Sequence, residues 1–254
     1  MAGLMATFDS NGLQIHYEVF GEGRPLVLVH GFASSLAGNW LRTGWVEALK
    51  PIRKVVALDC RGHGESGKPH ESEAYADDAM ANDVIALMDE LEIEQTDIFG
   101  YSMGGGVSIR LLLTRPERIT AGIFGGIGDR LARQSRRTNM PEAMLAEDTS
   151  KIADPVAKGF RIFAEAGGND LKALAAYQSA ARAGIDTSKL SQVRVPVLFV
   201  IGGNDALVGD PATLVDAIPG ARLVRIPDKD HLTVVPDRRF KDAVVQFLGE
   251  VAEN

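Results

Sequence analysis

Three residue types that together can turn an alcohol into a nucleophile stand at turns of this chain: a serine, a histidine and an aspartate. Ser102 lies in Gly100-Tyr101-Ser102-Met103-Gly104, where a strand-like run (Thr96-Asp97-Ile98-Phe99) meets a helix-like run (Gly105 to Arg115). The pattern G-x-S-x-G at a strand-to-helix turn holds its serine in a strained backbone conformation, so small residues must flank it. Glycines at 100, 104, 105 and 106 supply that room. The following helix points unpaired amides and its positive end at negative charge developing on the serine side. The chemistry this suits is attack on a carbonyl carbon.

A serine hydroxyl needs a base to take its proton, and histidine titrates in the right range. Of five histidines, His231 is best placed, in Pro227-Asp228-Lys229-Asp230-His231-Leu232 between the last strand-like and last helix-like runs. The base needs an acid to fix its tautomer. Asp205 follows Gly202-Gly203-Asn204 directly after an apolar run, and the order serine, aspartate, histidine is that of strand-to-helix serine sites. Asp129 is the rival acid, since it also follows a strand and lies between Ser102 and His231; Asp210 is a weaker one. Two backbone amides should face the oxyanion: that of Met103, next to the nucleophile, and that of Phe32 in the loop His30-Gly31-Phe32. Gly31 is expected to let the backbone approach closely, and His30 to orient the loop.

The elements that position these residues alternate. Asn11-Gly12 between two alternating runs predicts a hairpin, with Gln14 to Phe20 as its second arm. Buried-type strands are predicted at Pro25 to His30, Lys54 to Asp59, Thr96 to Tyr101, Ile119 to Phe124 and Val195 to Gly202, with a further strand at Arg222 to Ile226. Helices are predicted at Asn39 to Leu49, Asp77 to Leu91, Gly105 to Arg115, Pro211 to Ile218 and Arg238 to Val251. From Asp129 to Leu190 the rhythm stops; alanine-rich amphipathic stretches at Pro141 to Ala146, Pro155 to Ala166 and Asp170 to Ala183 replace it. The pattern predicts an α/β fold, a mostly parallel doubly wound sheet with an N-terminal antiparallel hairpin and a helical insertion above its carboxyl edge.

Composition bounds the possibilities. A chain of 254 residues, 45% hydrophobic and 24% charged, suits one globular domain. A net charge of −7 and a pI near 5.3 argue against nucleic-acid binding. One cysteine, Cys60, excludes an internal disulfide and fits a cytoplasmic setting. The start does not read as a signal peptide, and no apolar run is long enough to span a membrane. The histidines at 16, 30, 63, 70 and 231 lack metal-ligand spacing. Gly62-His63-Gly64-Glu65-Ser66-Gly67 fits G-x-G-x-x-G, but Lys68-Pro69-His70-Glu71 stands where an apolar helix should open, so no dinucleotide site is expected. No cofactor is called for.

His30-Gly31-Phe32, Asp59-Cys60-Arg61-Gly62-His63-Gly64-Glu65-Ser66, Gly100 to Gly105, Gly203 to Asp205 and His231 jointly resemble the α/β-hydrolase family over nearly the whole chain. The flavour is similar to small bacterial serine esterases, enol-lactonases and cofactor-free haloperoxidases. The resemblance implies a core of residues 1–128 and 191–254, a cap of residues 129–190, and a structural role for the loop holding His63. It implies Ser102, His231 and Asp205 as triad and Phe32 and Met103 as oxyanion donors, acting on a small, fairly apolar ester or lactone. Met140, Met144, Phe160, Phe163 and Tyr177 of the cap would form or border the substrate wall. Trp40, near the oxyanion loop, is a further ligand-contact candidate, with core packing as its default reading. A carbon–carbon bond hydrolase or peracid-forming enzyme with the same triad, or a non-catalytic ligand receptor, are the alternatives. Serine rather than aspartate at the elbow, and Met103 rather than tryptophan after it, speak against the dehalogenase and epoxide-hydrolase branches. The oligomeric state stays open.

Overall fold

The computed structural model describes residues 4–132, 139–182 and 184–252. Met1, residues 133–138 of the expected insertion and Ala183, the expected end of one of its helices, lie outside them. Eight strands form one sheet: β1 (Leu4–Ser10), β2 (Leu13–Phe20), β3 (Pro25–Val29), β4 (Lys54–Leu58), β5 (Thr96–Tyr101), β6 (Ile119–Gly125), β7 (Val197–Gly202) and β8 (Arg222–Ile226). Their spatial order is β1-β2-β4-β3-β5-β6-β7-β8. β1 and β2 pair antiparallel, as do β2 and β4, and every other pairing is parallel. The first hairpin closes on Asn11 and Gly12, both at positive φ (54° and 85°), the primed turn that matches strand twist.

The helices are α1 (Trp45–Leu49), α2 (Ala79–Glu90), α3 (Met103–Thr114), α4 (Asp129–Ala132), α5 (Met140–Leu145), α6 (Pro155–Ala166), α7 (Leu171–Ser179), α8 (Ala212–Ala217) and α9 (Arg238–Ala252). The buried-type strands are covered on both faces, as their continuous apolar runs require. Val27, Val29, Ile98 and Phe199 pack with residues of α2, α3 and α8. Leu26, Leu28, Phe99 and Val200 pack with residues of α1 and α9. Between β6 and β7 the described residues form α4 to α7 and no strand. The single helix expected over Asn39 to Leu49 is in fact two pieces: a π-helical turn, Ala37–Leu41, then α1, parted by Gly44 at φ 78°. A left-handed residue cannot continue a right-handed helix.

Buried ion pairs fix the core's register. Asp97, fully buried on β5, accepts from Arg53 Nε at 3.0 Å and lies 2.9 Å from Arg24. Arg61 grips both oxygens of Asp83 on α2, at 2.6 and 2.7 Å, and Ser10 donates to the same carboxylate. Removing one partner of such a pair leaves an uncompensated buried charge.

Chain order reverses at β3, whose neighbours are β4 on one side and β5 on the other. Crevices at such switch points, outside the carboxyl ends of the strands, are where open α/β sheets take ligands. Val29 pairs with Gly100, so the loop leaving β3 and the turn leaving β5 emerge side by side.

The turn after β5 tolerates no extra atom. A Cβ on Gly104 would lie 2.0 Å from the Val29 carbonyl oxygen, and one on Gly100 would lie 2.2 Å from the Gly104 carbonyl oxygen. Both obstacles are backbone, so neither can swing aside. Gly159, inside α6, faces open space. Gly104→Ala should therefore lower unfolding free energy by about 3 kcal/mol or more, whereas Gly159→Ala should raise it by up to about 1 kcal/mol. Urea unfolding of the two variants beside the parent checks both signs.

Candidate active site

Ser102 is the residue between β5 and α3, with φ 51° and ψ −110°. A non-glycine residue at positive φ is strained, and here the surrounding backbone enforces it. The Ser102 amide donates to the Gly125 carbonyl at 2.8 Å, and its carbonyl accepts from Gly106 at 3.1 Å. The side chain is thereby presented at the helix start, over the carboxyl edge of the sheet.

His231 reaches it from the loop after β8. His231 Nε2 lies 2.9 Å from Ser102 Oγ, and Nδ1 lies 2.7 Å from Asp205 Oδ2. An ionised carboxylate only accepts, so Nδ1 carries the proton and Nε2 is left to accept from the serine hydroxyl. Asp205 is buried, and its other oxygen accepts from the Leu207 amide at 3.0 Å. The arrangement can pass the Ser102 proton to an imidazole whose resulting charge faces a carboxylate.

The two loops carrying acid and base are zipped together beyond the strand ends. Gly203 donates to the Ile226 carbonyl at 2.8 Å and Asn204 to the Lys229 carbonyl at 2.9 Å. Gly202 must be glycine there, because a Cβ would meet the Lys229 carbonyl oxygen at 2.2 Å. Tyr101 adds a third tie: its hydroxyl donates to the His231 carbonyl, and its ring stands 5.3 Å from the imidazole. Burial, then the Asp205 and Asp230 charges, holds the Tyr101 phenol well above its ordinary pKa, so it stays a donor. Tyr101 occupies a variable position of the serine motif, and no signal in the sequence marked it for this task.

The rival acids are engaged elsewhere. Asp129 Oδ1 accepts from the Asp210 amide at 3.2 Å, and the Asp129 amide donates to the Asp210 carbonyl. Asp210 caps the turn before α8, accepting from Ala212, and pairs with Arg225 on the surface.

The other wall of the site comes from the loop after β3. Among the described residues, neither the Phe32 amide nor the Met103 amide is taken up by a loop or turn hydrogen bond. Met103 opens α3, where first-turn amides have no partner within the helix. Three buried groups hold the loop. His30 Nδ1 donates to the Gly31 carbonyl at 2.8 Å, while its Nε2 accepts from the Cys60 amide at 3.0 Å. Asn39 Oδ1 accepts from the Gly31 amide at 3.1 Å, and Asp59 Oδ1 accepts from the Leu36 amide at 2.7 Å. The same Asp59 carboxylate accepts from His16 and the Glu65 amide. Burial would raise the Asp59 carboxyl, but His30 and these donors outweigh it and bring it below the usual range. Gly31 departs from expectation: a Cβ there would sit 3.5 Å or more from its neighbours, an ordinary contact.

The loop that fits G-x-G-x-x-G closes on itself. Gly62 donates to the Gly67 carbonyl at 2.8 Å, and a Cβ on Gly64 would overlap the Asp59 carboxylate. Only a single turn, Ser72–Tyr75, follows rather than a helix that could face a phosphate. Among the described residues no group of three histidine, cysteine or acidic side chains could hold a metal. No helix of them is long and apolar enough to cross a membrane.

A cavity of about 620 Å³ opens on Ser102 and Met103. Phe32, Met140, Phe160 and Tyr177 line it, three of them from the helices between β6 and β7. Three residues expected at the ligand lie elsewhere. Trp40 is wholly buried on the other side of the sheet, against Trp45 and Phe99. Met144 is wholly buried among Ala143, Ala157 and Leu174, where it packs the helices together. Phe163 is on the outer surface, 36% exposed. Helical spacing alone does not distinguish a face turned to a cavity from one turned to another helix.

A family profile for the alpha/beta hydrolase fold matches residues 24–182, and the chain belongs to that family. The chain is 33% identical over 234 residues to the dihydrolipoyllysine-residue acetyltransferase component of the acetoin cleaving system of Pseudomonas putida, a match to 85% of this chain and 61% of that protein. The match thus spans less than two thirds of that relative's length. A hydrolase from Pseudomonas aeruginosa PA01 superposes with a TM-score of 0.79 at 25% identity, over 96% of this chain and 98% of that one. The enol-lactonase from Burkholderia xenovorans LB400 does so with a TM-score of 0.73 at 25% identity, over 98% of this chain and all of that one.

Behind the loop after β3, His63 is fully buried, 5.1 Å from the His30 ring, with Nδ1 on the Arg61 carbonyl. Burial, and next His30, push its pKa down to about 3. A histidine held neutral in the fold but free to protonate when unfolded makes stability fall with pH below its unfolded pKa of about 6.5, until the folded pKa is reached. Between about pH 7 and about pH 5 this one residue should remove about 2 kcal/mol from the parent. Urea unfolding at both pH values should show His63→Gln losing that much less than the parent, and parallel losses would dismiss the assignment.

Proposed function

We propose that this α/β-hydrolase family member is a serine hydrolase that cleaves carboxylic esters or lactones through an acyl-enzyme on Ser102. The observation that carries the reading is the unbroken chain Ser102 Oγ, His231 Nε2, His231 Nδ1, Asp205 Oδ2, at 2.9 and 2.7 Å, whose Ser102 end lines a cavity of about 620 Å³.

Ser102 Oγ attacks the carbonyl carbon as its proton moves to His231 Nε2. Asp205 holds the Nδ1 proton and stabilises the imidazolium. The amides of Phe32 and Met103 receive the oxyanion, each worth roughly a hundredfold or more in rate. His231 then gives the proton to the leaving oxygen, activates water against the acyl-enzyme and returns to its starting state. The helices of residues 129–190 act as a cap whose Met140, Phe160 and Tyr177 offer an apolar wall to the acyl or alcohol part.

A fluorophosphonate probe should attach to Ser102 and to no other serine, as peptide mass spectrometry would reveal; attachment elsewhere, or none, removes the mechanism. With para-nitrophenyl esters, Asp205→Asn should lower kcat by about 10⁴, while Asp129→Asn stays within about threefold of the parent. The reverse ranking moves the acid to Asp129. One equivalent of nitrophenol or less, without further turnover, instead supports a receptor that binds and does not hydrolyse.

A further inference from the structure

The cavity has a charged part of its lining that the proposed reaction leaves without a role. Among the described residues Arg110, Arg130 and Arg182 line it with one acid, Asp77, and Asp78 beside it pairs with Arg110, which leaves one positive charge over. This excess of positive charge sits in a chain whose net charge is −7. General solubility would not place two half-buried guanidinium groups, Arg110 and Arg182, at the hollow that opens on Ser102, because charged side chains are ordinarily turned to open water.

The placement is specific. Ser102, Gly106 and Arg110 are spaced by four and all line the cavity, so they share one face of α3. Eight residues of helix put Arg110 about 12 Å along the axis from Ser102. Asp78 holds Arg110 there, accepting from Nη1 at 2.7 Å. The Asp77 amide donates to the Ala181 carbonyl at 3.2 Å, so the segment bearing Asp77 and Asp78 runs beside the one bearing Arg182. Arg110 and Arg182 therefore belong to one wall. The Arg182 guanidinium lies flat over the Tyr177 ring, 3.9 Å from its centroid, and donates to the Tyr177 carbonyl. A stacked, anchored fork of donors is oriented before any ligand arrives, which suits it to planar carboxylates. Arg130, exposed, donates to the Leu207 carbonyl at 3.1 Å and adds to the positive field.

We propose that the ester or lactone cleaved here carries a carboxylate remote from its scissile carbonyl, received by Arg182 together with Arg110. The inference rests on the hydrolase reading above and adds a substrate class to it: the apolar chain lies along Phe32, Met140 and Tyr177, and the charge at the arginine wall. Asp77 on the same wall favours a single negative charge over the nearly double charge of a phosphate monoester.

The test compares two para-nitrophenyl esters of equal length, one ending in a carboxylate and the other in the matching carboxamide. In the parent the charged ester should have the higher kcat/KM by about tenfold, and the advantage should shrink severalfold in about 0.5 M salt, which shortens the screening length to a few ångström. Arg182→Met should reduce the charged-to-neutral ratio about tenfold, and Arg182→Lys, which keeps the charge, by less. A ratio of one or below in the parent, or a ratio that neither salt nor Arg182→Met moves, overturns the proposal. Should Arg182→Met not fold, the salt dependence of the parent decides alone. Calorimetric binding of the same esters to Ser102→Ala separates the two readings. Tighter binding of the charged ester without turnover by the parent sinks the hydrolase and keeps the anion wall, whereas turnover of both esters with equal binding does the opposite.

Discussion

Between the Val29 carbonyl and the first turn of α3 there is no space for a methyl group. This contact sets the rest of the site. Gly104 lets α3 begin directly beneath the end of β3, and Gly100 lets the helix turn back over β5. Only a sharp reversal joins the two, and Ser102 takes it at φ 51°. The strain is held by neighbours that cannot move: the strand on either side of β5, and the hydrogen bond from the Ser102 amide to Gly125. One crossing of backbones thus presents the hydroxyl, aims the Met103 amide beside it, and brings the Phe32 loop alongside. Positioning by backbone needs no side-chain entropy to be surrendered at the moment a ligand binds.

The acid and base are held in the same manner. β7 and β8 are neighbours, and their ladder continues past the strand ends through Gly203 and Asn204, so Asp205 and His231 arrive on one framework. Tyr101 fastens that framework to the serine turn, since it belongs to β5 and its hydroxyl reaches the His231 carbonyl. On the opposite side, His30 within the loop after β3, and Asn39 and Asp59 from outside it, fasten that loop. The groups that touch the proposed chemistry are few. Tyr101, His30, Asn39 and Asp59, the buried polar groups that hold them, each bond to a backbone partner where water is excluded.

Much of this was legible from residue order. Continuous apolar runs ending in glycine marked β3 and β7, because strands buried on both faces have little polar side to show. Asn-Gly marked the first hairpin, because both its residues can adopt positive φ. The glycines around Ser102 announced a turn with no room. What could not be read was side. Trp40 sits in a stretch of helical spacing near the loop after β3, yet it turns to the far face of the sheet, against Trp45 and Phe99. Met140 and Met144 are one helical turn apart on α5; one lines the cavity and the other packs against α6 and α7, a difference set by neighbours remote in sequence. Tyr101 acts through a hydrogen bond to a residue 130 positions away, which no local pattern encodes.

The two parts of the molecule are held by different forces, and this bears on what each can change. In the sheet and its flanking helices, buried ion pairs such as Arg53 with Asp97 and Arg61 with Asp83 demand exact partners, so a sliding strand or helix would strand a charge in the interior. Between β6 and β7 the contacts are mostly small: Ala143, Ala157, Ala164 and Ala175 pack around Met144 and Leu174. Arg161 there ties α6 to the end of α5 by donating to the Ala143, Met144 and Ala146 carbonyls, where the helix end is negative. Small apolar residues tolerate exchange for others of like volume better than paired charges do. The cavity wall above Ser102 can therefore be reshaped with little effect on the registry that brings Ser102, His231 and Asp205 together. The cavity wall and the hydrogen-bonded array beneath it lie on separable parts of the fold.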